Sequence, residues 1–578
     1  MKRWMMVVTA VAALAAVGGC APVQPGQEQA RLLEAMIRSS MRKNRIVGMS
    51  AVAISGGGRL LSAGYGFADR SRRAPVTPDS IFPIGSVTKL FTATAVMQLV
   101  ERGEVDLDAP VSRYLPELAG VSPCASGPTV RQLLTHHGGL PGNFMEGFEL
   151  LQPEPTRFRN LPRLLAGQPA ACAPDTIFAY SNAGYGLLGC LVERVSGSAY
   201  SDFVRCGTLS PLGMSRTRYF LTAEDGRQSV MGYDGRREVP IYPIRDIPAG
   251  ALMSSAADME RFMRFVLDRG RGGVLGREAF SEMTRRQNAR VELDGEFPIG
   301  LGYWLIRPFE TDDLFASHGG DIPPFHAVLV TVPERGIGVF LAANSSGAAS
   351  ALVPLAVEMV RAMHQWQTGV PAPQSPLPPR TRLDSAVLDT LSGLYASPMG
   401  LIDVRSRGGR LLTTLQGLPL QLVPRSDGIF SPEVRLLGLA SIPLPQLRPL
   451  RFSFFESAGR SYLRITALGV LAGVGERFVA GEVPAAWRAR TGRYRIVPRT
   501  ENTRYLWPRN ISLGFEEGCG LFLSYEFPGL RGTFPLEAAD RDRAVLRGKG
   551  TGLGETITAR EEDGRVLLEW SGMLLAKM

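Results

Sequence analysis

The chain has 578 residues, 45% of them hydrophobic and 20% charged. That composition excludes a disordered protein, and the length exceeds what one core absorbs, so two or three domains are expected. The formal charge is +10, but it comes from scattered arginines with no basic run, which argues against a nucleic-acid partner.

In chain order, residues 1–20, "MKRWMMVVTAVAALAAVGGC", open with Lys2 and Arg3, continue apolar and end in small residues. This reads as an export signal, too short and wrongly flanked for a spanning helix. Its end, Val17-Gly18-Gly19-Cys20, resembles the bacterial lipoprotein box. The resemblance implies lipidation of Cys20 and a membrane partner through that anchor. Ala21 follows, not the Asp that often retains lipoproteins at the inner membrane, so an outer-membrane anchor facing the periplasm is expected.

Residues 21–44 read as a tether and an amphipathic helix, and Gly48–Ser55 with the stretch after it as a β-hairpin. "SVTKLFTATAVMQLVERG" reads as a long apolar helix. "TVRQLLTHHGGLPG" is a short helix stopped by glycines. "NAGYGLLGCLVERVSG" and "SSAADMERFMRFVLDRG" are further helices, the second with a serine cap. "HAVLVTVPERGIGVFLAAN" holds two strands, and "SALVPLAVEMVRAMHQW" closes the unit. Strands at both ends with helices between imply an α+β domain over 21–368, whose sheet joins its two ends.

A proline-dense linker follows at 369–383. Beyond it, short β runs alternate with Gly and Pro turns. "LSGLYASP" and "RTGRYRIVP" look alike and place Tyr395 and Tyr494 at equivalent positions. Two β-barrel-like modules are expected, of lipocalin-like form, over 384–481 and 482–578.

Export makes disulfides possible. Cys124–Cys172 and Cys190–Cys206 are the pairings to test first, although spacing assigns neither. No His/Cys cluster has metal-ligand spacing and no phosphate loop stands out, so neither a metal nor a cofactor is expected.

Lysine is scarce. Between residues 44 and 548 every cation is arginine except Lys89. Arginine does not release its proton near neutral pH, whereas a buried lysine can. A G+C-rich genome also depletes lysine, so scarcity alone assigns nothing. Lys89 stands three residues after Ser86, on one helical face with it and among apolar neighbours, where desolvation would let it act as a base toward the hydroxyl. The tetrapeptide alone suits an ordinary helix start better, since serine caps helices and lysine is common in them. Tyr180-Ser181-Asn182 adds a hydroxyl that can relay a proton and an amide that can hold a carbonyl. His318-Gly319-Gly320 adds a histidine on a strand whose glycines let a substrate backbone lie alongside.

In this order, S-x-x-K, Y-x-N and H-x-G resemble the serine β-lactamase and penicillin-binding-protein superfamily. "TVRQLLTHHGGLPG", "LSPLGM", "PAGALMSSAADMERFM" and "GLGYW" also resemble its blocks in the right order, over roughly residues 35–365. The branch is that of class C β-lactamases, D-alanyl-D-alanine carboxypeptidases, D-aminopeptidases and esterases. The resemblance implies Ser86 as nucleophile, with Lys89 and Tyr180 managing its proton. It implies Asn182, His318, Gly319 and Gly320 as substrate-binding, and the backbone N–H groups of Ser86 and Asp321 as the oxyanion hole. The substrate would be a small peptide, amide or ester. His318 stands where many members have the lysine of K-T-G, which argues against strong β-lactamase activity. Asp321 stands where small residues are usual, and a carboxylate facing the oxyanion would oppose it. His136 and His137 read as structural. The C-terminal modules favour a D-aminopeptidase-like or carboxypeptidase-like enzyme, with an esterase of the same fold as the alternative. The reading from another class is a non-catalytic cell-wall-binding lipoprotein. An α/β-hydrolase is excluded by the lack of any G-x-S-x-G.

Overall fold

Strand Gly48–Ser55 sends alternate side chains into two different cores. Val52 and Ile54 enter one; Met49, Ala51 and Ala53 enter the other. Its partner Ile337–Ala343 does the same, with Phe340 and Ala342 on one side and Val339, Leu341 and Ala343 on the other. A period of two with both faces apolar means a sheet covered on both sides. In this computed structural model residues 25–119, 127–222, 224–306, 313–370, 377–436, 440–442, 444, 447–497, 507–527 and 530–578 are described. The export signal, Cys20 and Cys124 lie outside them.

The sheet has seven strands in the order Ala74–Pro75, Gly58–Asp69, Gly48–Ser55, Ile337–Ala343, Phe325–Val332, Phe315–Ile322 and Trp304–Ile306. The pairing Ala51↔Leu341 joins the two ends of the domain, as the hydrophobic pattern implies. Helices Pro25–Asn44 and Leu352–Thr368 cover one face through Leu33, Ile37, Leu355 and Met359. A helical layer that includes Thr88–Glu101, Asn182–Ser196 and Ala256–Leu267 covers the other. Every residue from Thr88 to Leu99 is buried, which accounts for the apolar character of that helix all round.

Two barrels follow. In the first, strands run from Gly393–Ser397 to Val470–Phe478, and the ring of eight closes where Leu422 pairs with Pro432; Ala440–Ile442 is added outside it. The second is a closed barrel of eight strands from Gly492–Val497 to Met573–Lys577, sealed by Tyr494↔Lys577. Each opens with a short helix, Ser385–Thr390 or Ala485–Ala489. Each then places its tyrosine hydroxyl on the carbonyl four residues back: Tyr395 on Leu391 at 2.8 Å and Tyr494 on Arg490 at 2.6 Å. The short sequence repeat is this shared entry into each barrel.

The expected Cys190–Cys206 disulfide is not formed. Cys190 is buried in helix Asn182–Ser196, with its thiol 3.5 Å from the Phe158 carbonyl, and Cys206 is exposed. One thiol faces the core and the other solvent, so the two cannot reach bonding geometry. The Cys124–Cys172 pairing falls outside the described residues.

Candidate active site

Ser86 sits in the 3-10 turn Gly85–Val87, directly before helix Thr88–Glu101. The turn is locked by Thr88, whose hydroxyl donates to the Gly85 carbonyl at 2.6 Å and accepts from the Leu252 N–H at 3.1 Å. One helical step on, Lys89 is fully buried. Its Nζ has three polar neighbours: Asn182 Oδ1 at 2.7 Å, the Ala249 carbonyl at 2.7 Å and Ser86 Oγ at 3.1 Å. Burial holds the amine well below the ordinary lysine range, and the Asp246 carboxylate opposes that shift.

A neutral amine has two N–H bonds and one lone pair. The Asn182 amide oxygen and the Ala249 carbonyl can only accept, so they take the two protons. The lone pair is left for the one neighbour that can donate, the Ser86 hydroxyl. In its neutral form Lys89 is therefore directed at Ser86 as a base.

Tyr180 completes the triangle. Its ring centroid is 4.8 Å from Lys89 Nζ, and its hydroxyl hydrogen bonds with Ser86. Burial raises the phenol above its usual range, the Ser86 bond pulls it back and the Asp321 charge raises it further, so at neutral pH it is a proton donor. His136 supports it from behind, with ring centroids 4.2 Å apart, and accepts the Ser181 N–H on Nδ1 at 3.1 Å. Burial, then Lys89, keeps that imidazole neutral. His137 pairs with buried Asp294 at 2.8 Å, and Asp294 also takes the Phe178 N–H at 2.7 Å. Both histidines hold the tyrosine segment in place.

The oxyanion position is built by close approach. Strand Trp304–Ile306 pairs only as far as Ser317, leaving the edge of residues 318–322 free to face the Ser86 turn. A Cβ on Gly320 would stand 1.9 Å from the Ile84 carbonyl and 3.0 Å from the Ser86 nitrogen. Only glycine lets the strand reach the nucleophile's turn, and that contact brings the Asp321 N–H beside Ser86. Gly320 thus packs against the turn. Gly319 has open space around its Cα. The Asp321 carboxylate, 67% exposed, turns away to bond His326 Nδ1 at 2.5 Å, so it does not face the oxyanion position.

His318 is buried, and its Nδ1 bonds the Gly319 carbonyl at 2.6 Å while Nε2 has no partner among the described residues. Burial and the nearby Lys89 push its pKa down to about 3. It is neutral at physiological pH and cannot replace the cation of K-T-G. It sits beside Tyr180 and Trp304, with ring centroids 6.4 and 5.4 Å away.

The site opens into a cavity of about 670 Å³ lined by Ser86 and Asn182 and by Asn143, Asp234, Asp321 and Glu526. Arg509 and Phe527 line it as well, so the second barrel forms one wall. The motifs give no hint of three participants. Asn143 Oδ1 takes the Asn182 Nδ2 at 2.7 Å, Ala249 supplies a backbone carbonyl, and Asp246 acts through its charge. The adjacent charges Arg245 and Asp246, standing just before an apolar run, are the one sequence signal for the last.

A serine beside a buried lysine and a tyrosine, at the start of a buried helix and against the edge of this sheet, is the arrangement of the β-lactamase and penicillin-binding-protein type. The family model described as Beta-lactamase matches residues 33–359, and the chain belongs to that family. It is 30% identical over 360 residues to "Penicillin-binding protein 4" of Amycolatopsis lactamdurans, covering 59% of this chain and 91% of that protein. It is 23% identical over 335 residues to "Protein flp" of Staphylococcus aureus strain N315, covering 56% of this chain and spanning 64% of the length of that relative. Among solved structures, SurE with D-Leu aligns at a TM-score of 0.56 and 25% identity, covering 78% of this chain and all of that one.

Proposed function

We propose that the protein is a serine hydrolase that works through an acyl-enzyme on Ser86 and acts on D-aminoacyl amides or peptidoglycan-type peptides. The observation that carries the chemistry is the fully buried Lys89 Nζ, 3.1 Å from Ser86 Oγ and held there by the Asn182 and Ala249 oxygens. In this reading Lys89 takes the Ser86 proton as Oγ attacks the carbonyl. The oxyanion forms against the N–H groups of Ser86 and Asp321. Tyr180 protonates the departing amine and is reprotonated from Lys89. Asn182 holds the substrate, and water then releases the acyl group.

The cavity supports a substrate with a free ammonium end. Among the described residues, Asp234, Asp321 and Glu526 line it against one arginine, Arg509, and neutral His318 offers no charge to a terminal carboxylate. The D-Leu in the SurE structure and the penicillin-binding-protein relative agree with a D-amino acid. The test compares a D-alanine anilide, a peptide ending in D-Ala-D-Ala and a short-chain ester. Turnover of the anilide is expected. Turnover of the peptide alone points to a carboxypeptidase that uses Arg509, and turnover of the ester alone ends the peptidase reading. A fluorophosphonate that labels a known relative but not this protein would favour the non-catalytic reading.

Asp321→Asn keeps the backbone donor and removes the exposed charge. An exposed ion pair contributes at most about 1 kcal/mol, so KM for the anilide is expected to rise about fivefold. The ester, which lacks the ammonium, should be unaffected. A lipid anchor at Cys20, in an outer membrane facing the periplasm, is part of the same proposal. Palmitate labelling that is lost in Cys20→Ser would support it.

A further inference from the structure

The second barrel does more than pack beside the site. Its loop of residues 547–555 lies against the catalytic domain behind Tyr180, and Thr551 Oγ1 accepts the Tyr180 N–H at 2.9 Å. The fit is close: Gly554 has φ +76°, and a Cβ there would stand 1.9 Å from the Ala171 carbonyl. Next to it Glu555, 5% exposed, brings a carboxylate into the interface.

That carboxylate has three polar contacts. Gly142 N–H donates to Oε1 at 3.1 Å, and Trp570 Nε1 donates to Oε2 at 2.9 Å. Ser571 Oγ is 2.7 Å from Oε2. The same serine hydroxyl is 2.8 Å from the Asn143 carbonyl, and the Ser571 carbonyl takes the Met145 N–H at 2.8 Å. The segment from Pro141 to Met145 is thus clamped from the barrel side. From the catalytic side, the Pro141 carbonyl takes the Ser181 hydroxyl at 2.9 Å and the Gly142 carbonyl takes the Asn182 N–H at 2.9 Å. Asn143 Oδ1 then receives the Asn182 amide at 2.7 Å, which fixes its orientation, and Asn182 Oδ1 receives Lys89 at 2.7 Å. If Asn182 turned over, it would present N–H bonds to the amine, and the Lys89 lone pair would no longer be reserved for Ser86.

We propose that Glu555 is a positioning residue for the reaction at Ser86: it anchors residues 141–145 to the second barrel and thereby orients Asn143, Asn182 and Lys89. The active site is complete only with that barrel docked. This rests on the reading of Ser86 as nucleophile.

The full-length protein and its variants would be compared by rate of fluorophosphonate labelling and by kcat and KM on the D-alanine anilide. In Glu555→Ala, labelling rate and kcat are expected to fall on the order of 100-fold with KM unchanged, as for a displaced reacting group. Glu555→Gln still accepts from Gly142 and can donate to Ser571, but it turns an N–H toward Trp570 Nε1–H, so it should recover only part of the rate. A folded Glu555→Ala that labels at the native rate overturns the proposal. If Glu555→Ala fails to fold, Ser571→Ala removes only the bonds through that hydroxyl. About a tenfold slower labelling is then expected, and an unchanged rate overturns the proposal. A native enzyme that does not label overturns the Ser86 reading itself, and this inference with it. Native-rate labelling by folded Glu555→Ala removes only the role of Glu555.

Discussion

Lys89→Arg is expected to fold and to lose acylation of Ser86 by about 10²- to 10⁴-fold, the range of a general base. Arginine keeps a cation near the same place but does not give up its proton at any workable pH. It would offer Ser86 an N–H where the native amine offers a lone pair. The larger head in a fully buried position costs about 1–3 kcal/mol through overpacking. Lys89→Met, apolar and close in shape, therefore serves as the second variant and should be equally slow. Fluorophosphonate labelling reads both, and a folded Arg variant that labels at the native rate would contradict the base role. The native enzyme carries a further signature. Burial lowers the Lys89 pKa well below the usual value, and the active form is the neutral amine. Acylation should therefore be level around neutral pH and fall in acid as the amine takes up a proton. Asp246 is the influence that raises this pKa, so Asp246→Asn should move the acid limb to lower pH. Neither Lys89 variant should retain that limb.

The grouping of Ser86, Lys89, Tyr180 and Asn182 was legible in the sequence because its members are set by local grammar. Ser86 and Lys89 are one helical step apart, and Asn182 opens the next helix of the layer, two residues after Tyr180. The sheet was legible for the same reason, since two strands with apolar residues at every position need cover on both faces. Asn143, Glu555 and the wall formed by Arg509, Glu526 and Phe527 were not. Asn143 lies in a loop and the others in barrel strands and loops hundreds of residues away, and no periodicity records which loop docks where. The packing of Gly320 against the Ser86 turn was not legible for a similar reason. Sequence shows that a strand has no side chain at a position, but not whether substrate or the Ile84 carbonyl fills the space. The Cys190–Cys206 expectation failed because order along the chain says nothing of whether a thiol faces the core or solvent. The short tyrosine repeat did carry information, because its hydroxyl-to-carbonyl bond is local in both barrels.

The largest stability effect is expected at Arg245 and Asp246. Both are buried, 1% and 0% exposed, and Arg245 Nε meets Asp246 Oδ1 at 2.5 Å. Arg245 also donates to the Glu146 carbonyl at 2.6 Å and the Phe144 carbonyl at 2.7 Å, so the pair holds the segment that carries Asn143. Removing one member leaves a buried charge without its counter-ion, and Arg245→Leu should lower the stability of the catalytic domain by about 3–5 kcal/mol. Asp246→Asn should cost a similar amount, since the arginine would keep only carbonyl partners. Replacing both, as Arg245→Met with Asp246→Leu, removes the stranded charge and should cost much less than the sum of the single variants, a non-additivity expected of residues in contact. Denaturant unfolding followed by a probe in the catalytic domain measures all three. Additive losses would mean that the two charges do not act as a pair. The double variant should nevertheless be slow at Ser86: with Arg245 gone, the Phe144 and Glu146 carbonyls lose their donor, and the segment that carries Asn143 keeps only its bonds to Ser181, Asn182 and the barrel. Stability and activity would then separate in one variant, which is the behaviour expected if a buried ion pair in this fold serves the geometry of the site more than the strength of the core.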